Sequence, residues 1–136
     1  MTISFITFVA AAFAAPAVAS SSLTMTATPI MAHTPQTLGE YVKEYYQDEP
    51  ILAEIARCES MYRQLNADGE VLRGKVNSYD VGVMQINLQY HEKRATELGY
   101  DLHTLEGNLA YAKYLYSKEG TAPWSSSAPC WKKKTS

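Results

Sequence analysis

Two cysteines, Cys58 and Cys130, constrain this 136-residue chain more than any other feature, because paired they would join its middle to its end. Whether they pair depends on the compartment, and the N-terminus bears on that. From Ile3 to Ala19 the chain carries no charge and is mostly Ala, Val, Phe and Ile. It closes on Ala17-Val18-Ala19 before Ser20, the small-residue pattern of a signal-peptide cleavage site. At about 17 residues, broken by Pro16, the run is short for a membrane span. No Lys or Arg precedes it, so a retained lipid anchor or a misplaced start codon stands as the alternative to export. On the export reading, residues 1–19 are a signal peptide, the mature chain begins near Ser20, and the protein is secreted or held in the cell envelope. An even cysteine count in an oxidising compartment then argues for a disulfide. It would close a loop of about 73 residues, worth about 4 kcal/mol in the chain-entropy description. Two buried free thiols are the other reading.

Residues 20–36 are rich in Ser, Thr, Pro and Ala without an apolar period, which predicts a flexible linker. The remainder, residues 37–136, is the length of one domain. A helical pattern runs from Thr37 to Asp48 with Leu38, Tyr41, Val42, Tyr45 and Tyr46 on one side. Pro50 opens a second helix, where its missing N–H costs nothing, and that helix reaches about Ser60. Asn66-Ala67-Asp68-Gly69 is turn chemistry, and Glu70 to Val76 alternates weakly, like a short hairpin strand. After a second turn at Asn77-Ser78-Tyr79-Asp80, the run Val81 to Asn87 fits either a strand or the start of a buried helix. Helix returns from Gln89 to Leu98 and stops at Gly99. Asp101 and Thr104 offer N-caps for a last long helix that ends before Gly120, with an apolar line of Leu105, Leu109, Ala112, Leu115 and Tyr116. The tail from Thr121 to Ser136 reads as an irregular segment pinned by the disulfide. The sum is an α-rich domain with a small β or loop insertion between helices.

One side chain breaks the pattern. On a helical wheel of about 100° per residue, Ile51 lies at about 0°, Ile55 at about 40° and Leu52 at about 100°. Glu59 falls between the last two at about 80°, while Arg57 and Glu54 lie on the other side, at about 240° and 300°. A carboxylate therefore stands on the apolar face at the C-terminal end of its helix. Desolvation and the negative end of the helix dipole both disfavour its charged form. A Glu kept protonated near neutral pH can hand a proton to a leaving-group oxygen, and glycoside cleavage requires such an acid. The competing reading is a Glu at the core edge whose oxygens reach solvent or a backbone N–H.

The pair Cys58-Glu59-Ser60, followed about 20 residues later by Asp80-Val81-Gly82-Val83-Met84-Gln85-Ile86-Asn87, resembles the lysozyme-like superfamily, with bacterial SLT-type lytic transglycosylases most similar. That family carries a Glu-Ser pair ending a helix, then a Gly-hydrophobic-Met-Gln-hydrophobic run, then a helix with an Asn and tyrosines, similar to Asn108-Leu109-Ala110-Tyr111 and Tyr114-Leu115 here. The resemblance spans about residues 50–131. It implies an α+β, predominantly α, lysozyme-like catalytic domain over residues 37–136 that cleaves the β-1,4 bond from N-acetylmuramic acid to N-acetylglucosamine in peptidoglycan. It further implies Glu59 as acid and then base, with Ser60, Gln85, Asn87, Tyr111 and Trp124 as substrate contacts, Gly82 allowing close approach, and Met84 packed beneath. For Trp124, packing over the disulfide competes evenly with a sugar platform. Asp80 departs from the SLT pattern and resembles the second carboxylate of animal lysozymes. Enzymes with one Glu let the sugar's C6 hydroxyl close a 1,6-anhydro ring without water, whereas a facing Asp80 supports hydrolysis. A turn residue bonding its own backbone is the third reading of Asp80.

Other signals are weak. His91-Glu92 begins a zinc-protease motif, but Ala95 stands where the second His belongs. His33, His91 and His103 lack ligand spacing with the cysteines, and Asn66-x-Asp68-Gly69 lacks the Glu of a calcium loop. Lys132-Lys133-Lys134 reads as a solvated tail, with a hold on anionic wall polymers as the alternative. With 12 basic and 14 acidic side chains, a net charge of −2 supplies no electrostatic case for nucleic-acid binding. The resemblance implies peptidoglycan glycan strands as the partner, and the expectation is a monomer without metal or cofactor. A wall-binding module that keeps the cleft but not the chemistry is the competing class.

Overall fold

A computed structural model describes residues 36–134; the expected signal peptide and all of the expected linker before Gln36 lie outside the described residues. The described chain is predominantly helical, with one two-stranded sheet and one disulfide. Its elements are α1 (Leu38–Tyr45), α2 (Pro50–Ser60), β1 (Asp80–Val81), β2 (Ile86–Asn87), α3 (Leu88–Glu97), α4 (Leu105–Glu119), a 3-10 helix (Ala122–Ser127), α5 (Ala128–Trp131) and a final 3-10 turn (Lys132–Lys134).

Helix α1 starts in a capping box in which the Thr37 hydroxyl accepts from the Glu40 amide and Glu40 bonds back to the Thr37 amide. It stops three residues short of the expected Asp48. Pro50 disfavours helical geometry at the residue before it, and Glu49 accordingly sits at φ −129°, ψ 66°. Val42 and Tyr46 reach the core, where the Tyr46 hydroxyl donates to the Leu109 carbonyl of α4 at 2.9 Å. Pro50 does open α2, which buries Leu52, Ala53, Ile55 and Ala56, while Glu54 and Arg57 form an ion pair of 3.0 Å. Met61 and Tyr62, both left-handed at φ 56° and 58°, turn the chain off the end of α2.

Between α2 and β1 the expected turns form. The Asn66 side chain accepts from the amides of Asp68 and Glu70, and Asn77 accepts from Tyr79. The expected strand over Glu70–Val76 does not form; isolated bridges join Leu65 to Val71 and Arg73 to Val81. Val71 packs against the core but Val76 stands wholly exposed, so the stretch has no continuous apolar face to bury.

Helix α3 is capped by Asn87, α4 by Thr104, and α4 ends at Gly120. Its buried arc is wider than the apolar line of the sequence, taking in Asn108 and Tyr111 beside Leu109, Ala112 and Leu115. The tail is not irregular. Pro123 and Pro129 each stand in the first turn of a short helix, where proline fits, and Trp124 and Trp131 are buried. Cys58 and Cys130 are bonded, with Cα atoms 6.0 Å apart, so α5 is fastened to the last turn of α2. A disulfide is consistent with an oxidising environment.

Candidate active site

The run Val81–Asn87 is neither a single strand nor a helix. Asp80 pairs with Asn87 and Val81 with Ile86, so the run doubles back through Gly82-Val83-Met84-Gln85. Val83 and Met84 at the tip are fully buried. A turn buried this deeply must find partners for its backbone groups. Two buried side-chain amides supply them. Gln64 Oε1 accepts from the Val83 amide at 2.9 Å, and Asn108 Oδ1 accepts from the Met84 amide at 2.9 Å. Asn108 Nδ2 donates to the carbonyls of Val81 and Leu102, and Trp124 Nε1 donates to the Met84 carbonyl at 3.0 Å. Gly82 is at φ 70°, and a Cβ there would lie 2.5 Å from Asn108 Nδ2 and 2.8 Å from Gln64 Oε1. Its close approach is thus to these two amides, and Met84 lies in the core.

This buried turn delivers Asp80 and Gln85 to the surface opposite the end of α2. Glu59, Asp80 and Gln85 together line two adjoining cavities, of ≈ 320 Å³ and ≈ 590 Å³, that meet at these residues and Ser126. Glu59 is half-buried, as the wheel anticipates. Burial pushes its carboxyl above the usual range; a hydrogen bond from Ser127 opposes the rise, and the charge of Asp80 adds to it. Asp80 Oδ1 accepts from Asn87 Nδ2 at 2.7 Å, which aims the carboxylate rather than neutralising it. Gln85, held at φ 49°, donates to the Gly82 carbonyl at 2.8 Å.

The Ser127 hydroxyl donates to Glu59 Oε1 at 2.6 Å, lies 3.1 Å from the Trp124 carbonyl, and accepts from Trp131 Nε1 at 3.1 Å. A hydroxyl has one proton and can rotate it. Pointed at Glu59 it serves the carboxylate; pointed at Trp124 it frees its oxygen to accept from the protonated acid. Sequence reasoning missed Ser127, and nothing in Ser125-Ser126-Ser127 marks the last serine out. It also missed Gln64, one glutamine in a loop whose role exists only once the turn packs on it.

The structure places four of the expected substrate contacts differently from one another. Ser60 lines the larger cavity but is 2% exposed, and its hydroxyl donates to the Ala56 carbonyl and accepts from the Arg63 amide, closing the end of α2. Tyr111, 1% exposed, does not line the cleft; its hydroxyl lies 3.3 Å from His91 Nδ1, and His91 does line it. Asn87 lines the cavity, but its side chain is spent on Asp80 and on capping α3. Trp124, 3% exposed, contributes to the cavity wall but is committed to the Met84 carbonyl, so it buttresses the turn rather than offering an open ring face. Tyr90, 78% exposed at the cavity edge, is the aromatic surface that the sequence left unnamed.

Among the described residues no group of three His, Cys, Asp or Glu side chains is placed to hold a metal ion, and no helix is long and apolar enough to cross a membrane. No protein-family model, curated protein or solved structure matches the chain.

Proposed function

We propose that the chain is a lysozyme-like enzyme that cleaves peptidoglycan glycan strands at the N-acetylmuramic acid to N-acetylglucosamine β-1,4 bond, by a lytic-transglycosylase-type reaction. The observation that carries the reading is a half-buried Glu59 whose carboxyl is raised by burial, at the junction of two cavities. Such a group holds a proton at pH values where an ordinary Glu has lost it. Glu59 protonates the glycosidic oxygen as the bond breaks, and the resulting carboxylate then takes the proton of the C6 hydroxyl as that oxygen closes the anhydro ring. Ser127 suits both states of Glu59, which a residue acting first as acid and then as base requires.

A second reading is favoured by Asp80, which lines both cavities with Glu59 and whose charge reaches it. Two carboxyls flanking one bond support hydrolysis, with Asp80 stabilising the cationic sugar or attacking it. Both readings place the first proton on Glu59. The test is Glu59→Gln, measured as release of soluble fragments from purified peptidoglycan. A folded variant should lose about 100- to 10,000-fold in rate, the usual worth of a general acid; an undiminished rate would remove Glu59 from the chemistry.

A further inference from the structure

The two cavities that meet at Glu59 differ in charge. Beyond the residues the two share, the larger is lined by Arg63, Arg73 and Lys75, all exposed, and by no further acid. Beyond those shared residues, the smaller is lined by Glu119 and by no lysine or arginine, with Tyr90, His91 and Pro123 among its other residues. The lysine and arginine side chains that line the site thus all belong to one of its two arms.

Two of the three cations are held in place while keeping most of their donors. Arg63 Nε donates to the Ser60 carbonyl at 2.9 Å, and Arg73 Nη1 donates to the Ser78 carbonyl at 3.2 Å. A guanidinium has five N–H donors, so one bond to a carbonyl orients the fork without neutralising it. None of the three forms an ion pair with a described residue. Oriented arginine forks without a carboxylate partner match the geometry of a carboxylate from outside.

We propose that the arm lined by Arg63, Arg73 and Lys75 is a subsite for a carboxylate borne by the glycan, so that a strand crosses Glu59 in one direction only, with its anionic substituent on this side. The inference rests on the proposed function and deepens it. A neutral homopolymer of N-acetylglucosamine gives these cations nothing to bind, whereas a strand bearing peptides with free carboxylates does. The sugar on the other side of the scissile bond then lies along the arm with Tyr90 and Glu119, where a bare carboxylate would meet like charge.

The test is binding to the Glu59→Gln protein, which keeps the groove and prevents turnover. Three probes are titrated at low salt: neutral chitotetraose, a peptide-bearing tetrasaccharide from peptidoglycan, and the same tetrasaccharide with its carboxyls converted to amides. The acid form should bind about 3- to 10-fold more tightly than the amide form, the range for partly exposed ion pairs. This preference should shrink as salt rises and should fall to near one in protein that also carries Arg73→Gln and Lys75→Gln. A preference that survives both substitutions, or no preference in a protein that binds chitotetraose, overturns the subsite alone. No binding of any of the three overturns the glycan-cleaving reading with it.

Discussion

The proton on Glu59 is governed by burial, the Ser127 hydroxyl and the Asp80 charge, and each has a measurable consequence. Because the folded state raises the Glu59 pKa, the folded chain holds this proton more tightly than the unfolded chain does. Glu59 therefore weakens the fold as pH rises from the ordinary glutamate value through the raised one, and the cost persists above it. Glu59→Gln removes the charge, so its melting temperature should exceed that of the parent at pH 7. The two should converge below about pH 4, where the parent carries no charge there either. Ser127→Ala removes the contact that lowers the pKa. The alkaline limb of its pH–rate profile, set by loss of the acid, should move to higher pH, and an unmoved limb would leave Ser127 as packing only. Glu59 itself was legible in the sequence, because a helical wheel is enough to see a carboxylate among Ile55 and Leu52. Ser127 was not, because 68 residues separate it from its partner and only the folded tail brings them together.

The turn Gly82–Gln85 shows where periodicity fails. A buried apolar run that short fits a strand or a helix, and the actual solution is a hairpin tip sunk into the core and satisfied by Gln64 and Asn108. Gly82 is required twice, by its φ of 70° and by the 2.5 Å that a Cβ would leave to Asn108. Gly82→Ala should cost about 2–4 kcal/mol in chemical denaturation, from left-handed strain and overpacking together. Asn108→Ala leaves the Met84 amide and the Val81 and Leu102 carbonyls without that partner. It should lower stability by about 3 kcal/mol or more, since each buried orphan costs about 1–3 kcal/mol. The helices were legible because caps and prolines write their ends locally: Thr37, Pro50, Thr104, Gly120. The weak alternation of Glu70–Val76 misled because a strand exists only with a partner, and its neighbours offer two single bridges.

At the scale of the whole molecule, the disulfide fastens the tail to the end of α2 that carries Glu59. Cys130 follows Ser127 by three residues, and Cys58 precedes Glu59 by one, so the covalent link joins the same two segments as the Ser127–Glu59 contact. Replacing both cysteines by serine should cost about 4 kcal/mol. It should also shift the pH–rate profile in the direction of Ser127→Ala, which a disulfide acting on stability alone would not do. The pairing was legible from an even cysteine count beside an export-like leader. The compact folding of the tail was not, because two single helical turns leave no periodic trace and Trp124 and Trp131 are buried by contacts made from afar. The groove's separation of charge was equally hidden, since Arg63, Arg73 and Lys75 are scattered in a loop and become an arm only in three dimensions.

Glycan cleavage at Glu59 is tested most directly by digesting purified peptidoglycan with the protein and weighing the released muropeptides. Fragments lighter by one water than hydrolytic products are predicted, made by the parent and absent with Glu59→Gln. Full-mass reducing-end fragments would move the chemistry to hydrolysis with Asp80 as partner. Intact strands left by a folded protein that still binds them would contradict the enzyme and leave a wall-binding module.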